Sequence, residues 1–207
     1  MELTTKQKRQ RILLEIKDIL QGAAFPIMLQ LVLSASVILF ADYSLEIGIQ
    51  VFALVFGEIL LIGSYILFGR QNGVTAYRRT IQGESKRKIN VDDITVYYRT
   101  GEYALWKGIV IGAVSVIPFM LFEFIQCLAP NIVCEFIVKY AFGWASYPFI
   151  VIGQIPSVGK LSEWLNFIWI VVPVGVHLGA YIWGGYGEKK RQLMVKEAQE
   201  LKGKRKK

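Results

Sequence analysis

Metal and redox chemistry have little to work with in this chain, whose 207 residues include one histidine and two cysteines. That is too few for a convincing metal-ligand set. There is no HExxH pair, and no second histidine beside paired glutamates, so the motif of an intramembrane metalloprotease is missing. No GxSxG context activates a serine. The stretch "QGESKRK" lacks the glycine spacing of a phosphate-binding loop, and no strand-to-helix unit is expected around it. No cofactor is expected. Charge is scarce too: 19% of residues are charged, against roughly 25% in soluble domains. A secretory signal peptide is not expected either. The opening "MELTTKQKRQRILLEIKDIL" is charged throughout, and no small-residue cleavage site follows an early apolar core. The first long apolar segment is therefore expected to serve as its own uncleaved insertion signal.

What the chain does have is apolar length. Of its residues, 54% are hydrophobic and 13% aromatic, and mean hydropathy is +0.41. Four mostly apolar segments, 23–41, 45–69, 104–128 and 164–186, each have the roughly 17–25 residues of a bilayer crossing. A fifth, "EFIVKYAFGWASYPFIVIGQIP" at 135–156, is long enough but is interrupted by Lys139, Trp144, Tyr147 and Pro148.

The basic residues decide between four crossings and five. Five of them lie in 1–20, eight from Arg70 to Lys107 and nine after Gly187; only Lys139 and Lys160, of 24, fall in 128–163. Lys and Arg near helix ends stay on the cytoplasmic side. Four crossings keep both termini and the 70–103 connection inside. A fifth would carry the nine basic residues of the tail out. Residues 136–155 are therefore expected to form a re-entrant or interfacial hairpin, with Trp144 and Tyr147 at the headgroup level that such side chains prefer.

The expected fold is an all-α polytopic membrane bundle of four transmembrane helices plus that hairpin, in the plasma membrane, with cytoplasmic termini. Residues 1–22 read as an amphipathic helix on the inner surface, its apolar stripe formed by Ile12, Leu13, Ile16, Ile19 and Leu20. Gly22 is expected to bend the chain into a membrane domain spanning 23–186. In the cytoplasmic connection, Val74, Tyr77 and Ile81 keep helical spacing, Gly83 is placed to end that helix, and Asp92 or Asp93 to cap another. Residues 187–207 read as a basic tail, a helical extension of the last span. "YYRTGEYALWKGIVIG" places Tyr and Trp at the inner interface, with Lys107 snorkelling back to it.

Several residues are candidates for chemistry. Glu58 and His177 each lie about 13 residues into a span, near the midplane by helix rise. A carboxylate there costs about 2.5–3.5 kcal/mol unless protonated, paired or wetted. If their helices are neighbours, the two form an intramembrane polar site. Gln50, Glu123, Gln126 and Gln154 are candidates for an outer vestibule, although Glu123 is close enough to the boundary simply to reach the headgroups. Cys127 and Cys134 bracket "LAPNIV" on the outer side, where a disulfide is possible and free thiols are the alternative. Gly108, Gly112, Gly175, Gly179 and Gly184 recur at helix-packing intervals. Arg78, Arg79, Lys86, Arg87, Lys88, Lys189, Lys190 and Arg191 are expected to contact anionic headgroups.

Three classes of function fit these features. A non-catalytic subunit or scaffold of a membrane complex suits the glycine faces and the scarcity of convergent polar residues. A small oligomeric transporter or ion or proton conductor is the alternative, working through Glu58 and His177. An intramembrane enzyme acting on lipid fits least well. The expected partners are anionic lipid on the cytoplasmic side and a membrane protein or second copy of the chain. The net charge of +8 is not expected to meet nucleic acid, since it flanks long uncharged runs.

Overall fold

The computed structural model describes residues 5–40, 46–82, 86–91, 94–99, 103–141 and 166–205. In chain order the elements are α1 (Thr5–Phe40), α2 (Ile47–Gln82), strands β1 (Lys86–Val91) and β2 (Ile94–Arg99), α3 (Leu105–Leu128), α4 (Ile132–Ala141) and α5 (Asn166–Arg205). The fold is helical apart from one antiparallel ribbon, in which Lys86 pairs with Arg99 and Val91 with Ile94.

Among the described residues, two helices are long and apolar enough to cross a membrane: Gly48–Ile81 within α2, at a mean hydropathy of 2.3, and Leu105–Leu128, at 2.2. Most of their apolar surface faces outward; Phe52, for example, is 70% exposed. The other two expected spans, 23–41 and 164–186, run partly over residues outside the described set.

The helices pack alternately up and down. Phe25 meets Phe68 while Gln30 meets Tyr65, so α1 and α2 are antiparallel. Gly22 lies against Ile111 and Gln30 against Ser115, so α1 and α3 are parallel. Gly69 packs on His177 and Gly73 on Tyr181, so α2 and α5 run in the same direction. Gly108 faces Tyr181 and Gly112 faces Val174, so α3 and α5 are antiparallel. Leu61, Tyr65, Val116, Phe119 and Val138 form the core, with Val138 supplied by α4.

The close contact of α2 with α5 depends on small residues. A Cβ on Gly73 would strike the Tyr181 carbonyl, and one on Gly184 the Arg70 carbonyl; Gly69 lies against the backbone of His177 and the methyl of Ala180. The expected packing role holds for Gly108, Gly112 and Gly184. It fails for Gly175 and Gly179, beside which a Cβ would meet nothing within 4 Å. Helical phase is the reason. The Ala180–Gly184 face turns toward α2, while Gly175 and Gly179 lie on the exposed side.

Two local expectations are also corrected. Gly22 does not bend the chain, because α1 runs unbroken through it for 36 residues. The glycine instead lets α3 approach, since a Cβ there would lie 3.2 Å from Ile111. The helix expected after Asp92 or Asp93 is a strand instead: those two residues lie outside the described set, and β2 begins at Ile94. The run "ITVYYR" is rich in the β-branched and aromatic types that favour strands. Helix α2 ends at Gln82, directly before Gly83. Of the stretch 136–155, residues 142 onward lie outside the described set.

Candidate functional site

Three helices each supply one polar side chain at the centre of the bundle. Gln30 of α1, Tyr65 of α2 and Ser115 of α3 are all buried. Gln30 Nε2 donates to the Tyr65 hydroxyl and to the Ser115 carbonyl at 3.2 Å. Ser115 Oγ donates to the Gly112 carbonyl at 2.6 Å, so across the 3.0 Å contact between Tyr65 Oη and Ser115 Oγ the tyrosine is the donor. Each hydroxyl therefore accepts one hydrogen bond and donates another. Buried polar groups need such partners, because leaving one unsatisfied costs about 1–3 kcal/mol.

α5 brings His177 to the same level. Its ring stands edge-on to Tyr65, centroids 6.2 Å apart at 87°. The imidazole is fully buried, at 0% exposure, and neither ring nitrogen has a hydrogen-bond partner among the described residues. His177 is therefore not hydrogen-bonded to Glu58. Glu58 lies seven residues before Tyr65, about 10 Å along the helix. It lines a void of about 10 Å³ with Leu61, Ile62, Tyr65, Val172, Pro173 and Val176. Counting depth from the start of each apolar segment assumes that both helices enter at one level. The actual register sets His177 against Tyr65 and Gly69 instead.

Three of the four candidate outer-vestibule residues are described. Glu123 is only 2% exposed, which overturns the view that it reaches the headgroups. Gln50 is buried as well. Gln126 closes the turn between α3 and α4: its Oε1 accepts the Asn131 N–H at 3.1 Å. Asn131 Oδ1 in turn accepts the Val133 N–H at 2.8 Å, an N-cap for α4. Gln154 lies outside the described residues. Cys127 and Cys134 are half-buried and are not joined in a disulfide. Hydrogen bonds close the turn, where the sequence left a disulfide and free thiols as alternatives.

At the other end of the bundle, α2 and α5 continue past their apolar stretches and are joined by an ion pair. Arg78 Nε donates to Glu188 Oε1 at 2.9 Å and Nη2 to Oε2 at 3.1 Å. Gln192 donates to Oε1 at 2.9 Å, and Arg191 lies 3.6 Å from Oε2. The hydrogen bond from Arg78, first of all, holds the Glu188 carboxyl below its ordinary range. The same contact raises the Arg78 guanidinium. Arg78 is thus committed to a carboxylate rather than left for lipid, and Arg191 in part. Lys189 and Lys190 are exposed, whereas the side chains of Lys86, Arg87 and Lys88 lie outside the described set.

This end also carries aromatic markers and a second, larger cavity. Arg70 lies over the Trp183 ring, 4.7 Å from its centroid, and Lys107 over Trp106 at 5.5 Å. Tyr103 stacks on Tyr181 with centroids 5.1 Å apart, and its N–H donates to Thr80 Oγ1 at 3.0 Å. Beside them α1, α2 and α3 enclose about 200 Å³, lined by Glu15 and Asp18, Asn72 and Arg79, and Lys107, with Tyr181 completing the wall from α5.

Sequence reasoning found His177 but missed its neighbours. Gln30 and Ser115 are isolated polar residues in apolar runs, whereas Tyr65 lies about one turn from the inner end of the expected span 45–69, close to the headgroup level where tyrosine is usual, and so did not stand out. The first two were the available signals. No protein-family model, curated protein or solved structure matches this chain.

Proposed function

We propose that this chain is a four-span integral membrane protein acting as a non-catalytic subunit or scaffold of a membrane complex, seated in the plasma membrane with both termini cytoplasmic. The observation that carries it is the closed polar centre. Gln30 Nε2, Tyr65 Oη and Ser115 are hydrogen-bonded to one another, with Gln30 Oε1 left without a partner among the described residues, and the void beside them measures about 10 Å³, room for about one water. A solute path needs polar groups facing an open route, and the packed centre offers none among the described residues.

The alternation of α1, α2, α3 and α5 supports four crossings. An antiparallel α3 and α5 call for the intervening chain to return to the side where α3 ends, as a re-entrant or interfacial hairpin does. Val138 of α4 in the core fits a segment that dips back beside the bundle. The outward apolar faces of α2 and α3 suit lipid or a partner's helices. Exposed Lys189 and Lys190 suit an anionic inner leaflet.

Extraction in mild detergent, followed by mass analysis, tests the proposal. A stoichiometric membrane partner is the expected result. A clean homo-oligomer that moves protons in proteoliposomes, and stops when Glu58→Gln is introduced, overturns it. A conductor is the second reading, favoured by the carboxylate of Glu58 on the central void and by the unbonded ring nitrogens of His177.

A further inference from the structure

The cavity at the inner end of the bundle is lined by charges of both signs, sorted by helix. Glu15 and Asp18 come from α1, while Arg79 comes from α2 and Lys107 from α3. Asn72 adds a neutral donor. Its Nδ2 is buried and has no hydrogen-bond partner among the described residues. At about 200 Å³ the space falls below the roughly 300–1,000 Å³ of drug-sized pockets, but suits a headgroup-sized molecule.

We propose that this cavity binds a zwitterion carrying a phosphate and a primary ammonium, the phosphoethanolamine group. Arg79, Lys107 and Asn72 are the donors for the phosphate oxygens, and Glu15 and Asp18 accept from the ammonium. Charge-assisted bonds of this kind are the stronger class. A purely anionic ligand meets two carboxylates and a purely cationic one meets two cations, so only a ligand with both charges uses all four. The ammonium is primary because carboxylates reward N–H donors, whereas a quaternary ammonium is held by aromatic cages. Here the one aromatic wall is Tyr181. The position matches the chemistry, because Lys107 lies both on the cavity and over Trp106, at the level of an interfacial aromatic belt.

The same group can arrive as a phosphatidylethanolamine headgroup, which rests on the membrane proposal above, or as a soluble phosphoethanolamine, which does not. The full chain in nanodiscs of phosphatidylcholine, doped with either phosphatidylethanolamine or phosphatidylglycerol, separates the cases by native mass spectrometry. Retention of phosphatidylethanolamine at least tenfold over either competitor is expected. Asp18→Asn and Arg79→Gln, which act on opposite ends of the ligand, each abolish that preference, while Lys190→Gln on the exposed tail leaves it intact. In undoped discs, a rise in melting temperature with added phosphoethanolamine assigns the site to the soluble source. If neither source binds to a correctly inserted chain, the four charges merely neutralise one another around water and the proposal fails. Carbonate extraction reports on the membrane proposal separately. A chain that washes off overturns it, and the phosphoethanolamine titration then decides the cavity alone.

Discussion

Glu188 is the residue whose electrostatics make the plainest prediction. Its carboxyl is held low by Arg78, and a depressed carboxylate contributes stability that is complete above its unfolded pKa, about 4.5. That stability is lost as pH falls through the lower folded value. Arg78 is 43% exposed, so solvent screening keeps the pair to about 1 kcal/mol. Glu188→Gln is therefore expected to lower the melting temperature at pH 7. The gap from the parent protein closes as pH drops below about 4.5; a gap that persists at low pH means that packing, not charge, holds this contact. Deeper in the bundle, Tyr65→Phe removes the hydroxyl shared by Gln30 and Ser115. Interhelical hydrogen bonds in membranes average about 0.6 kcal/mol and reach about 1.7; the upper end is expected here, because two partners are lost. A double-mutant cycle with Ser115→Ala checks this, and strict additivity of the two losses counts against a shared network.

At the scale of elements, glycine placement separates contact from coincidence. Gly73 and Gly175 look alike in sequence. A methyl on Gly73 strikes the Tyr181 carbonyl, whereas one on Gly175 meets nothing. Gly73→Ala is therefore expected to destabilise by about 1–3 kcal/mol, the usual cost of overpacking. Gly175→Ala leaves stability unchanged or raises it by up to about 1 kcal/mol through helix propensity. Chemical denaturation of both variants decides, and equal effects refute the assigned face. The helices were legible as apolar runs, and so were the end of α2 at Gln82, directly before Gly83, and the helical extension of α5. What only the packing shows is that the two extensions are joined through Arg78 and Glu188. The ribbon was missed because a second helix, capped by Asp92 or Asp93, was expected beyond Gly83, where β-branched and aromatic residues change the local preference.

For the whole molecule, the prediction concerns which side each segment occupies. In a background carrying Cys127→Ser and Cys134→Ser, Ser157→Cys and Ser162→Cys are expected to react with an impermeant thiol reagent added to intact cells. Lys202→Cys is expected to react only after permeabilisation. A tail labelled from outside requires a fifth crossing and overturns the proposed topology. A pattern with only the tail protected agrees with α5 starting where α3 ends.

Composition and charge spacing alone determined that this is a chain of long apolar helices with basic flanks. These are one-dimensional properties: the transfer cost of each residue depends on its type and its distance from the segment end. Which polar residues meet is a different matter. It depends on the axial offset and rotation of one helix against another, set by where small residues admit a neighbouring backbone. That packing placed His177 beside Tyr65 rather than Glu58, turned Gly175 outward, and gathered Glu15, Asp18, Arg79 and Lys107, distant in sequence, around one cavity.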